Sequence, residues 1–291
     1  MNFEFSEDQV LLKNQIRKAL DDNCRPVDVR QILESDTPYD KNLWKVLGEM
    51  GLHGTAIDDS LGGAGAGYLE LCVVAEELGR ALAPVPFTSS VFMATEAIKI
   101  AASEEQQAAL LPDLASGKKI GTVAAWERTG PLRADAMTVR CDNGLLSGTK
   151  MLVPDGDVAD LAIVIAKEDA GLSLFAVDLT DKGVTRTTLE TIDPTRNFST
   201  LSFHAVAAQR LGVAGEGWAL LQQVLDRAAV LVAFEQIGGA QKALEMATDY
   251  ARERYAFGRP IGSFQAVKHM LANMYVDLVL ASTTCYYGAW A

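Results

Sequence analysis

The stretch Arg252–Met274, RERYAFGRPIGSFQAVKHMLANM, separates two long segments of helical character. Three helix-breaking residues lie close together in it: Gly258, Pro260 and Gly262. A helix hairpin needs such a break. It does not need the other side chains that gather at this turn, which are Arg254, Phe257 and Gln265. The stretch therefore indicates a helix hairpin whose turn carries a function.

The composition is that of a folded globular chain. The 291 residues are 49% hydrophobic and 22% charged, and the formal net charge is −12. A strongly acidic chain is a poor partner for a phosphate backbone, so we expect no nucleic-acid partner. A small anionic ligand would have to be held by a few local basic groups.

The sequence indicates a cytoplasmic protein. The four cysteines form no CxxC pair and are interpreted as reduced thiols, and the three histidines show no metal-ligand spacing. The segment MNFEFSEDQ has neither the basic nor the apolar region of a signal peptide. The apolar runs are too short to span a bilayer.

Residues 1–117 are predicted to form an N-terminal helical domain. Ser6 and Gln9 form a capping box before the first apolar helix. Further helices are predicted over residues 41–50, 68–82, 89–102 and 104–116, with the GGAGAG segment at 62–67 as a loop. The GGAGAG segment is a poor dinucleotide-binding motif because no strand precedes it.

Residues 118–215 are predicted to form a β domain, either a barrel or a sandwich. Short β-branched runs alternate there with turn signals, and Asp142, Asn143 and Gly144 form a hairpin signal between two of them. The change from helical to alternating patterns near residue 118 marks the boundary.

Residues 216–291 are predicted to form a C-terminal helical domain, so that the whole fold is of the α+β class. One helix is expected from Glu216 to Tyr255, with Gly238 and Gly239 allowing a close neighbour. Ser263 is the expected N-cap of the next helix, whose apolar stripe is Phe264, Val267, Leu271, Met274, Leu278 and Ala281. That helix reaches Ala291 with no stop signal. We interpret the domain as incomplete at this point, the alternative being a natural last helix that docks on a partner.

The order of these domains and five local stretches resemble the acyl-CoA dehydrogenase family. The stretches are FEFSEDQVLLKNQIRKAL, LGGAGAGYLELCVVAEELGRALAPVPF, LSGTKMLVPDGDVAD, GVAGEGWALLQQVLD and ARERYAFGRPIGSFQAVKHMLANM. The last is the most specific, because RxxFG followed by P-I-x-x-F-Q rarely arises by chance. The resemblance runs in order through the whole chain.

The resemblance implies an oxidoreductase that acts on CH–CH groups with FAD as its cofactor. It implies that Arg254, Phe257 and Gln265 contact the flavin, usually across a subunit interface. A guanidinium offers a fork of donors to phosphate oxygens, and a carboxamide both donates and accepts. The alternative is that Arg254 pairs with Asp249 or Glu253 and that Phe257 belongs to the core.

The resemblance names no catalytic base. The family's glutamate in the LDxER segment corresponds to Ala228, and its arginine to Ala229. The family's second position for a base lies beyond residue 291. Asp226 and Glu235 are interpreted as solvated or packed residues.

Two flavin-facing segments of the family also depart from its pattern. The threonine of the T-E-P segment is replaced by Trp126 in WERTGPLRAD, and the W-I-T/S-N-G segment reads LVPDG at residues 152–156. Flavin contacts from this chain's own β domain are therefore in question, whereas Arg254 and Gln265 remain.

This combination resembles one subunit of a bacterial heteromeric acyl-CoA dehydrogenase, including the types that act on steroid side-chain CoA esters. The implied partners are an acyl-CoA substrate, a related chain in a dimer or α2β2 tetramer, and an electron-transferring flavoprotein. Two alternatives stay open. One is a homomeric enzyme with its base beyond residue 291, and the other is a non-catalytic scaffold of the same fold.

Overall fold

The computed structural model describes residues 6–193 and 195–291. Their contacts divide the chain into two compact units. The first, here called the helical unit, comprises Met1–Val29, Gly67–Ala83 and Val230–Ala291. The second, the mixed unit, comprises Arg30–Ala66 and Pro84–Ala229. The predicted three-domain division at residues 117 and 215 stays a prediction.

Helices dominate both ends of the chain, as the sequence predicts. They are α1 (Glu7–Asn23), α2 (Pro26–Leu33), α3 (Lys41–Glu49), α4 (Tyr68–Ala81), α5 (Glu96–Ala101), α6 (Glu104–Ala115), α7 (Gly217–Glu253) and α8 (Gln265–Trp290). The capping box at the start of α1 is confirmed, since Ser6 Oγ accepts from the Gln9 amide and the Gln9 side chain accepts from the Ser6 amide.

The strands lie between α6 and α7, again as predicted. They are β1 (Gly121–Ala124), β2 (Arg140–Asp142), β3 (Leu145–Pro154), β4 (Leu161–Glu168), β5 (Gly171–Asp178), β6 (Val184–Leu189) and β7 (Phe198–Leu211). A further pair, β8 (Tyr255–Ala256) and β9 (Arg259–Pro260), lies between α7 and α8. The described elements confirm the α+β fold class with helices on either side of a β region.

The strands of the mixed unit close into a barrel. Pairing runs from β4 through β2, β3, β7 and β5 and returns to β4, with β1 added beside β4 and β6 beside β7. The predicted hairpin is confirmed, because Asn143 and Gly144, both with positive φ, connect β2 to β3. The first six residues of β4 are all buried, as expected for a strand at the centre of a core.

The helical unit contains a close crossing of α4 and α7. A Cβ atom at Gly79 would overlap the carbonyl oxygen of Glu235, and one at Gly238 would overlap that of Glu76. The predicted close approach is therefore confirmed at Gly238, whereas Gly239 does not require it, because a Cβ atom there would lie 3.6 Å from the Gly79 carbonyl oxygen. Helix α1 packs beside α4, where Lys13 pairs with Glu76 at 2.7 Å and Arg17 pairs with Glu77 at 2.7 Å. These cations neutralise two carboxylates that are almost fully buried.

One helix has an unexpected type, and one N-cap prediction is wrong. The helix predicted over 89–102 is confirmed, but its first part, Thr88–Thr95, is a π-helix that continues into α5. A π-helix depends on tertiary packing, which periodicity does not report. Ser263 is not the N-cap of α8, because that position is occupied by Phe264, whose side chain makes no capping hydrogen bond.

Candidate functional site at the α7–α8 junction

The junction between α7 and α8 is a two-stranded hairpin with a two-residue turn. Helix α7 ends at Glu253, and β8 pairs with β9 through Tyr255 opposite Pro260 and Ala256 opposite Arg259. The turn residues Phe257 and Gly258 have φ values of +52° and +76°. A phenylalanine in this region is strained, because a turn with both φ values positive favours Asn-Gly. Such strain is common at functional sites.

The structure brings the three predicted site residues to this junction, and all three side chains are exposed. Phe257 is 96% exposed, so the alternative in which it belongs to the core is wrong. Asp249 pairs with Arg252 at 3.4 Å, and Arg254 makes no ion pair within residues 6–193 and 195–291. The alternative of a surface ion pair for Arg254 is therefore also wrong.

The start of α8 faces the same junction. Its first residue is Gln265, and no side chain caps the N–H groups of its first turn. Gly262 packs α8 onto the end of α7, since a Cβ atom there would lie 2.8 Å from the Ala251 carbonyl oxygen. A helix N-terminus presents unpaired N–H donors and a partial positive charge.

The charge of the junction is opposite to that of the whole chain. Residues 254–269 contain three cations, Arg254, Arg259 and Lys268, and no carboxylate, in a protein of net charge −12. Guanidinium, carboxamide and helix N–H groups are all donors, and they suit a ligand that carries many acceptor oxygens. The groups present thus fit a diphosphate.

Two other segments correspond to the parts of the family that face the flavin, and their polar groups are engaged within the mixed unit. In the LVPDG segment, Asp155 is buried and accepts a 2.6 Å hydrogen bond from Ser89 Oγ. The backbone carbonyl of Trp126 accepts from the amide of Met151 at 2.9 Å. The one ionisable side chain of the LVPDG segment therefore points into the mixed unit and is engaged there.

A buried ion pair joins Glu127 of the WERTGPLRAD segment to β3 just before the LVPDG segment. The side chain of Lys150 is fully buried, donates to the Ala125 carbonyl at 3.1 Å and pairs with Glu127 at 2.7 Å. Burial lowers the pKa of Lys150 to about 8, an effect that the adjacent Glu127 opposes. This pair was not recognised from the sequence, because nothing in the alternation of β3 distinguishes its buried lysine from a solvated one.

The position of the family's base holds no acid. Ala228 is buried and Ala229 is exposed on α7. The neighbouring Arg227 binds Glu96, a carboxylate with no exposed surface, at 3.1 Å, and Lys99 binds the same carboxylate at 2.7 Å. Glu96 is thus held by two cations, and it is no candidate for a base.

Metal and membrane features are not found in the described part of the chain. No three acidic, histidine or cysteine side chains within residues 6–193 and 195–291 are grouped as metal ligands would be. Among those same residues, no helix combines the length and apolar character needed to cross a bilayer.

Comparison with known proteins gives matches along the whole chain. Residues 6–118 match the family model of the acyl-CoA dehydrogenase N-terminal domain, and residues 215–291 match that of the C-terminal domain. The chain is 33% identical to acyl-CoA dehydrogenase FadE27 of Mycobacterium tuberculosis over 294 residues, covering 100% of this chain and 77% of that protein.

Two similar solved structures are described as pairs of chains. A steroid ACAD variant of Tcur3481–Tcur3483 is 34% identical with a TM-score of 0.87, covering 97% of this chain and 77% of that one. The ChsE4–ChsE5 complex of Mycobacterium tuberculosis is 31% identical with a TM-score of 0.88, covering 100% and 79%. A glutaryl-CoA dehydrogenase of Mycobacterium smegmatis in complex with FADH2 is 26% identical with a TM-score of 0.87, covering 97% and 75%.

Proposed function

Because this chain belongs to the acyl-CoA dehydrogenase family, we propose that it takes part in the FAD-dependent α,β-dehydrogenation of an acyl-CoA thioester as one subunit of a heteromeric enzyme. The similar pairs Tcur3481–Tcur3483 and ChsE4–ChsE5 support a heteromer, and the glutaryl-CoA dehydrogenase with FADH2 supports the cofactor. Since one of these is described as a steroid ACAD, CoA esters of steroid side chains are the first substrates to test.

The observation that carries the proposal is the unpaired guanidinium of Arg254 beside the uncapped start of α8. We propose that Arg254 and Gln265 hold the diphosphate of FAD and that Phe257 packs against the cofactor, which is seated on the related chain. A diphosphate supplies the acceptors that these donors lack within residues 6–193 and 195–291.

The proposed source of the catalytic base rests on the residue at the LDxER position. The reaction removes a proton from Cα, which requires a positioned base, and FAD when bound accepts the hydride from Cβ. Ala228 stands at the LDxER position of this chain, so we assign the base to the related chain. An electron-transferring flavoprotein is the proposed electron acceptor.

The first experiment removes the proposed phosphate ligand. Arg254→Ala is expected to lower the flavin content per chain by about tenfold or more, because a charge-assisted hydrogen bond is worth about 1.5–3 kcal/mol. The midpoint of denaturant unfolding should stay unchanged. Arg252→Ala is the matched control, since Arg252 is also exposed but pairs with Asp249. Equal flavin content in both variants would refute the assignment.

A second experiment tests the need for a partner. The chain is expressed alone and together with a related acyl-CoA dehydrogenase chain, and flavin and turnover with an electron-transferring flavoprotein are measured. We expect flavin and turnover only from the pair. Turnover by this chain alone would favour a homomeric enzyme, and a pair without flavin would favour a scaffold.

A further inference from the structure

Arg259 is a second cation at the same junction as Arg254, and the sequence pattern did not single it out. Ala256 lies directly opposite Arg259 in the β8–β9 ladder, and the Ile261 amide donates to the Arg254 carbonyl at 2.7 Å. Arg254 directly follows the last residue of α7, and its amide donates to the Tyr250 carbonyl at 2.9 Å. The hairpin therefore returns Arg259 toward the same end of α7.

The guanidinium of Arg259 is fixed by an aromatic ring. Its Cζ atom lies 4.1 Å from the centroid of the Phe264 ring, and Phe264 is the N-cap residue of α8. The Phe264 ring in turn makes an edge contact with Phe257 at 6.3 Å. A guanidinium that stacks through its flat face keeps its N–H edge free for another group.

These exposed cations lie at one junction, where an anion would be favoured by both of them. Arg254 and Arg259 repel each other, and Arg259 also lies at the positive end of the α8 dipole. Arg259 makes no ion pair with any residue in the described ranges, and residues 254–269 contain no carboxylate. A diphosphate would relieve both repulsions, because it carries a charge for each guanidinium.

We propose that Arg259, oriented by the ring of Phe264, is a second ligand of the organic diphosphate that Arg254 binds, so that the two arginines hold one phosphate each. The proposal rests on the proposed function for the role of Arg254. It adds a binding residue, Arg259, and a positioning residue, Phe264.

The test is a titration with inorganic pyrophosphate at low ionic strength, followed by calorimetry, on the chain in the assembly in which it purifies. Arg259→Gln is expected to weaken binding about fivefold, the size of an exposed charge pair. Phe264→Leu should weaken it about two- to fivefold, whereas Phe264→Tyr, which keeps the aromatic face, should bind like the wild type. Arg252→Gln serves as the charge-matched control.

The same variants separate this inference from the proposed function. If Arg254→Ala loses pyrophosphate binding and Arg259→Gln does not, Arg259 is no ligand and the proposed function stands. If neither variant differs from Arg252→Gln, or the wild type shows no saturable binding, both assignments are wrong. Loss of pyrophosphate binding in both variants supports both assignments.

FAD and coenzyme A both carry an organic diphosphate, so competition identifies the source. We expect FAD to displace pyrophosphate, and FMN, which has a single phosphate, to displace it poorly. Displacement by coenzyme A and not by FAD would support the arginine pair but contradict the flavin assignment. Equal displacement by FMN and FAD would contradict a site built for two phosphates.

Discussion

His53 is a buried imidazole whose two ring nitrogens have no hydrogen-bond partner within residues 6–193 and 195–291. Its ring stacks on that of Trp44 with a centroid distance of 3.8 Å. Burial disfavours the charged form and lowers the pKa of His53 to about 4 from an ordinary 6.5. The structure therefore stabilises the neutral imidazole.

This histidine makes the free energy of unfolding depend on pH in the acidic range. Because the folded-state pKa lies below the unfolded-state value, the unfolded chain binds the proton first as the pH falls. The contribution is complete above pH 6.5 and is lost toward pH 4, and it amounts to about 3 kcal/mol. His53→Phe should flatten this part of the curve of unfolding free energy against pH. A slope that survives His53→Phe contradicts the argument.

A second prediction at the scale of residues concerns the Lys150–Glu127 pair. Glu127→Gln leaves the fully buried ammonium of Lys150 without its counter-charge, which should cost about 3–5 kcal/mol of unfolding free energy. The double variant Lys150→Met with Glu127→Gln should recover part of this loss. Asp135→Asn, which breaks the exposed pair with Arg133, should change stability little. The single variant Lys150→Met completes the cycle, and strictly additive costs in the denaturant series would show that the two groups are not coupled.

At the scale of elements, the crossing of α4 and α7 depends on single glycines. Gly238→Ala should destabilise the fold by about 1–3 kcal/mol or more, because the new methyl group would overlap the Glu76 carbonyl oxygen. The adjacent Gly239 is the matched control, since a Cβ atom there would lie 3.6 Å from the Gly79 carbonyl oxygen. Gly239→Ala should be neutral or stabilise by up to about 1 kcal/mol. Equal effects of the two variants on thermal unfolding would contradict the close crossing.

The elements also show what local sequence signals can and cannot report. The α1 capping box, the Asn143–Gly144 hairpin and the long helix α7 each follow from residues close together in the chain, and each was predicted. The π-helix was missed, because it belongs to a segment fixed by distant partners such as Asp155 on Ser89. The parallel pairing of β1 with β4 was missed for the same reason, since about forty residues separate the partners.

In the candidate site, too, some residues could be predicted from the sequence and one could not. Arg254, Phe257 and Gln265 could be named because the motif is contiguous and its breaker residues bring them to one turn. Arg259 lies in the same motif, but its significance depends on the ladder register and on the Phe264 ring, which the sequence does not report. Tertiary contacts of this kind decide whether an exposed cation is a solvated surface group or a ligand.

At the scale of the whole molecule, α8 is apolar on more than one face. Several members of its predicted stripe are half-buried, but Val276, Leu280 and Trp290 lie outside the stripe and are each more than half exposed. A contiguous group of exposed large apolar side chains is typical of a surface that is covered, so we expect this face to be covered in the functional assembly.

Val276→Lys tests that expectation, because it places a charge in the centre of the exposed apolar face of α8. The variant should lower the molar mass of the assembly measured by light scattering, since burying an unpaired ammonium at an interface is costly. Asp277→Lys introduces the same side chain at the next position, which is exposed and polar in the wild type, and should leave the mass unchanged. The expectation is wrong if the wild type is monomeric with a related chain present, or if both lysine variants assemble equally well. Reduced mass with Val276→Lys alone would identify this face of α8 as part of the subunit interface.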